Sequence, residues 1–195
     1  MNLSAKRIAR LGLFVALLIV SAKITIPMVP VPMTVQSLTV IFFACFLGFL
    51  DSAIGVAVYI ALGLLGLPVF ASGSAGIAYV IKPSFGFTIG FFVACFVSGL
   101  IYCKGGKIIR TIIAVAAGTI TIYIVGIAYF LLLKTFYFGA SFDFWNVLLT
   151  FWIVFIPSDI LKGAVCVLVL KRLEIIKTSP TNRLNRGLSD LRPER

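Results

Sequence analysis

The segment from Trp145 to Leu170 is apolar, long enough to cross a bilayer, and carries one acid and one base, Asp159 and Lys162. No other feature of the chain narrows its fold as much. An ion at bilayer depth costs roughly 2.5–3.5 kcal/mol on insertion scales, so an intramembrane pair points to a use. Three positions apart on a helix, the two side chains share one face. Pro157, just upstream, has no N–H, which leaves the Ile153 carbonyl open to a ligand or water. Two readings stand at this point: a polar ligand site, and a lock between helices.

Composition extends the membrane reading to the whole chain. Of 195 residues, 61% are hydrophobic and 12% charged, against about a quarter charged in an average soluble domain. The expected fold class is all-α, a polytopic membrane protein whose function lies in its bundle and loops. A net charge of +11 would suggest nucleic acid in a soluble chain. Here the basic residues flank apolar segments, as positive-inside topology requires, and no nucleic-acid partner is expected. The chain has no histidine, the commonest general base and metal ligand. Cys45, Cys95, Cys103 and Cys166 are scattered through apolar segments with no C-x-x-C pair, so they read as packing residues. Neither a metal nor a cofactor is expected.

The apolar runs predict six transmembrane helices, over about 6–25, 35–50, 53–66, 85–103, 108–133 and 145–171. The first could be misread as a secretory signal, but its apolar run continues into Ile24-Thr25-Ile26 and further spans follow. Ser4, Ala5, Ala9, Gly12 and Ala16 form one small-residue stripe on it, suited to close helix contact inside the bundle or with a partner subunit. Pro27, Pro30 and Pro32 bring an extended external segment to Gln36, which reads as a helix-end cap or a ligand contact. A turn is expected at Asp51-Ser52. The stretch from Gly66 to Pro83 is apolar and aromatic yet rich in Gly and Ser, a composition that suits a lid over a small ligand as well as a flexible hairpin. Lys104, Lys107 and Arg110 make a short basic loop, and Lys134 to Asp143 an outward one. Residues 1–175 are expected to form one substrate-binding domain, and 176–195 a polar, basic, disordered tail.

The basic residues near the first helix, those at Lys104 to Arg110 and those from Lys171 onward then share one side. Six spans with both termini cytoplasmic satisfy the positive-inside rule. Lys162 lies roughly 13 Å along the last helix from Lys171, deep beneath the external loops. No inverted repeat of the secondary-transporter type is visible.

Asp159 can accept from N–H donors and Lys162 can donate to a carbonyl or carboxylate. Together they suit a compact solute that bears both, such as a cyclic urea, an amide or a zwitterion, in an otherwise apolar pocket. Catalysis is not expected: no second intramembrane acid and no activated Ser or Cys arrangement accompanies them. A G-x-x-x-x-G-K-[ST] phosphate loop is also missing, so concentrative uptake would need separate energising subunits or an ion gradient.

Four stretches carry a family resemblance: Val31-Pro32-Met33-Thr34-Val35-Gln36, Gly66-Leu67-Pro68-Val69-Phe70 through Gly73 and Gly76, Lys82-Pro83-Ser84-Phe85-Gly86-Phe87, and Pro157-Ser158-Asp159-Ile160-Leu161-Lys162. In this order and spacing the chain resembles the BioY family, the biotin-specific substrate-capture (S) components of energy-coupling factor (ECF) transporters. The likeness covers all but the C-terminal tail. It implies a six-helix bundle in a prokaryotic cytoplasmic membrane that binds biotin near its external face. It also implies a partner module of one transmembrane coupling subunit and two ATPases. Asp159 and Lys162 match the paired polar residues that hold the ligand, and Ala5 and Ala9 match the motif that meets the coupling subunit. Gln36, Ser72, Gly73, Ser74, Gly76, Tyr79, Phe87 and Thr88 complete the expected site.

The chain also departs from the pattern. Ser72, Ala75 and Phe85 stand where the family carries glycine, and Phe87 where it often carries tyrosine. Because Asp159 and Lys162 cancel, a biotin carboxylate needs another donor, for which Lys82 is the candidate, aided by Ser72, Ser74 or Thr88. The alternatives are an S component for another vitamin or a modified biotin, and a solitary or ion-coupled carrier.

Overall fold

Small residues decide how closely the helices of this chain approach. The structure, a computed structural model, describes residues 4–28, 31–103, 108–136 and 144–178; of 144–154 and 174–178 it describes the backbone alone. Six α-helices run through them: α1 Ala5–Lys23, α2 Gln36–Leu47, α3 Phe49–Leu64, α4 Ser84–Tyr102, α5 Ile108–Phe136 and α6 Phe144–Thr178. Helices α4 and α5 make the most extensive pairing. A Cβ on Gly90 would lie 3.0 Å from the Ile122 carbonyl oxygen, and one on Gly126 would lie 2.7 Å from the Phe87 ring. The Ser98 hydroxyl donates across the same seam to the Ala114 carbonyl at 3.0 Å. Close backbone approach of this kind is how helices associate where lipid removes the hydrophobic driving force.

Several boundaries differ from the sequence expectation. The turn between the second and third helices falls at Gly48, with φ 92° and ψ 166°, a conformation closed to other residues. Asp51 and Ser52 instead lie in the first turns of α3. There Asp51 faces the positive end of the helix dipole and receives the Arg7 guanidinium from α1, with Nε 2.9 Å from Oδ1. Gln36 opens α2 but caps nothing. The Pro-rich segment is not simply extended: β1 Thr25–Ile26 pairs antiparallel with β2 Met33–Thr34, in the register Thr25 to Thr34 and Ile26 to Met33. Arg110 belongs to α5, and α6 passes unbroken through Pro157 to Thr178. Lys104, Lys107, most of the outward loop after Lys134, and the tail from residue 179 lie outside the described residues.

At 1.5 Å per residue the 12-residue α2 is about 18 Å long and the 16-residue α3 about 24 Å, both short of a roughly 30 Å hydrocarbon core. Helices α4 and α5 are long and apolar enough to cross one. The hairpin and the segment between α3 and α4 extend the same end of the bundle, where Lys23 at the end of α1 donates to the Pro68 carbonyl. Along α1, Phe14, Leu18, Ser21 and Ala22 are buried, whereas Ala5, Ala9, Gly12 and Ala16 are exposed. Among the described residues, the small-residue stripe therefore faces outward from the bundle. Cys45, Cys95 and Cys166 are buried and Cys103 is exposed.

Candidate functional site

The glycines and aromatic residues between α3 and α4 form an anchored structure. Phe70 is wholly buried, with its ring against Gly63, where a Cβ would lie 2.1 Å away. It stacks on Tyr79 with centroids 4.0 Å apart and meets Tyr59 edge-on at 5.5 Å. The Gly76 N–H reaches back to the Gly63 carbonyl at 2.8 Å, from a φ of 79° that suits glycine. Burial pushes the Tyr79 phenol up from its ordinary pKa, against the opposing effect of the Thr88 and Ser84 hydroxyls.

Beneath this loop lies a small cavity of about 50 Å³. Ala71 and Tyr79 border it from the loop, Pro32 and Thr34 from the hairpin, and Gln36 from the start of α2. Helix α4 contributes Phe87 and Thr88, α5 contributes Thr119 and Tyr123, and α6 contributes Phe155, Asp159 and Lys162. Lys162 Nζ sits 2.7 Å from Asp159 Oδ1, and the two side chains keep 15% and 12% of their surface exposed. The base is thus paired within its own helix, and among the described residues it does not tie α6 to a neighbour. The bond that does cross between helices is one that sequence reasoning missed: the Tyr123 hydroxyl of α5 donates to Asp159 Oδ2.

Six of the expected ligand residues meet at the cavity: Asp159, Lys162, Tyr79, Phe87, Thr88 and Gln36. The buried Gln36 amide donates to the Tyr59 hydroxyl at 2.7 Å, which in turn donates to the Val69 carbonyl at 3.3 Å, so the cavity wall and the loop share one hydrogen-bond chain. The other five, Ser72, Gly73, Ser74, Gly76 and Lys82, belong to the loop but do not line the cavity. Ser72 and Gly73 are exposed. Lys82, also exposed, donates to the Ser74 hydroxyl at 2.9 Å, with its ammonium 6.0 Å from the Tyr79 ring centroid. Thr119 and Tyr123, one turn apart on α5, were the available signal for the missing partner. Nothing in the sequence itself pairs α5 with α6.

Chemically, the arrangement offers a carboxylate and an ammonium side by side, ringed by aromatic surface and hydroxyl groups. It suits a neutral polar head with N–H and C=O groups. The BioY family model matches residues 1–178. A probable biotin transporter BioY of Pyrococcus horikoshii is 34% identical over 88% of this chain and 98% of its own. The biotin transporter BioY of Rhodobacter capsulatus is 33% identical over 93% of this chain and 99% of its own. In fold, the crystal structure of the S-component for biotin from an ECF-type ABC transporter superposes with a TM-score of 0.73 at 26% identity, covering 89% of this chain and 95% of that one. On this match over nearly its whole length, and with the acid–base pair in the last helix, the chain belongs to the BioY family.

Proposed function

We propose that this protein binds biotin and carries it across the prokaryotic cytoplasmic membrane as the S component of an ECF-type transporter. It performs no chemistry on its ligand. The observation that carries the proposal is the Asp159–Lys162 pair at the wall of a cavity beneath the aromatic loop. Asp159 accepts from the ureido N–H groups, Lys162 donates to the ureido carbonyl, and the aromatic residues enclose the ring system. The loop from Gly66 to Pro83 serves as the outward cover, with Lys82 at its rim for the ligand carboxylate. Residues 1–175 form the substrate-binding domain of six spans, with both termini and the basic tail 176–195 cytoplasmic. Transport is driven by a module of one transmembrane coupling subunit and two ATPases, which meets the small-residue face of α1.

Equilibrium binding of labelled biotin to the purified protein tests the site. Hydrogen bonds to charged groups contribute about 1.5–3 kcal/mol, so Asp159→Asn and Lys162→Ala should each weaken binding by roughly ten- to a hundredfold. Unchanged affinity in both variants would remove the pair from the site.

A further inference from the structure

Asp159 borders more than the ligand cavity. On its far side an apolar cleft of about 730 Å³ runs between α5 and α6, flanked by Ile120, Ile124, Ile156 and Ile160. The carboxylate thus borders open space on two sides. What holds it is the Tyr123 hydroxyl on Oδ2, while Lys162 takes Oδ1. Tyr123 is itself fixed, because its ring lies edge-on between Phe87 and Phe155, with centroids 6.3 Å from each. Phe87 keeps its place because Gly126, on the same helix as Tyr123, has no Cβ to displace it.

We infer that Tyr123 is a positioning residue for ligand recognition: it turns the Asp159 carboxylate toward the cavity so that its free lone pairs meet ligand N–H donors. The inference rests on the reading of Asp159 as a biotin contact. With its one proton given to Asp159, Tyr123 has none left for the ligand, so it acts through the carboxylate. Its absence lets Asp159 rotate toward the cleft, and the loss falls on ligands that bear N–H groups there.

The test is calorimetric binding to the purified full chain, comparing wild type with Tyr123→Phe and Asp159→Asn. The two probes are biotin and its cyclic carbonate analogue, in which ring oxygens replace both ureido N–H groups. Tyr123→Phe is expected to weaken biotin about tenfold, as loss of a charge-assisted hydrogen bond does, and to change the carbonate by less than about twofold. Retained carbonate binding also reports that the variant is folded. Equal losses for both probes would make Tyr123 a structural residue and overturn the inference. So would undiminished biotin binding in Tyr123→Phe where Asp159→Asn has lost it, which leaves the site intact without Tyr123. If Asp159→Asn also binds biotin as wild type does, the site itself fails and the inference with it.

Discussion

Lys82 and Ser72 show how much of the loop's chemistry rests on single side chains. The Lys82 ammonium is exposed and held on the Ser74 hydroxyl, beside the ring of Tyr79, which does border the cavity. An exposed charge of this kind contributes up to about 1 kcal/mol. Lys82→Ala should therefore weaken biotin by roughly two- to fivefold and leave biotin methyl ester unchanged, measured as paired dissociation constants. Equal losses for acid and ester would detach Lys82 from the carboxylate. Ser72 sits at φ 56° and ψ 25°, where an L-residue is strained by about 1–2 kcal/mol. Its side chain is exposed, so no packing offsets that strain. Ser72→Gly should hold or raise the thermal unfolding temperature of the solubilised protein, and the β-branched Ser72→Val should lower it. The opposite order would mean that the hydroxyl stabilises the loop more than its backbone strains it.

At the scale of the elements, the α4–α5 seam has little room to absorb change. A side chain at Gly90 meets the backbone of Ile122, which cannot swing away as a flexible tip can. Gly90→Val should destabilise the solubilised protein by about 1–3 kcal/mol, as overpacking does. Gly12→Ala, with nothing within 4 Å, should leave the melting temperature unchanged or raise it, since alanine is the better helix former by about 0.5–1 kcal/mol. Helix existence was legible because long apolar runs have few alternatives in lipid. Boundaries were less so: Asp51-Ser52 looked like a turn because both residues favour turns, whereas the backbone reversal needed the positive φ of Gly48. The two-residue strands left no periodic trace, since Thr25–Ile26 and Met33–Thr34 are too short to alternate visibly. At the site, Asp159 and Lys162 stood out because charge in an apolar run is conspicuous. Tyr123 did not, because tyrosine suits a membrane helix on apolar grounds alone, and only the approach of α5 to α6 gives its hydroxyl a partner.

For the whole molecule, the proposed function assigns ligand capture and partner contact to opposite faces and ends of the same bundle. The loop, hairpin and cavity lie where α1 ends, and Ala5 and Ala9 lie where it begins. On α1 the buried Phe14 and Leu18 point into the core, and the exposed Ala5, Ala9, Gly12 and Ala16 occupy the opposite face. Arg7, within the same turns, is tied to Asp51 of α3, so the start of α1 is held to the bundle while its small-residue face stays outward. A face without bulk lets another helix approach until backbones touch, and one long side chain there is enough to prevent it. In a bilayer a leucine on an outward face is not itself costly, so the substitution separates partner contact from folding. Ala5→Leu and Ala9→Leu should leave biotin affinity of the purified chain within about twofold of wild type, because both residues are exposed. In cells that supply the energising module, the same variants should lose most biotin uptake, read as accumulated label. Loss of binding along with uptake would place the stripe in the service of the bundle itself. Full uptake in both would move the partner's footprint to another face.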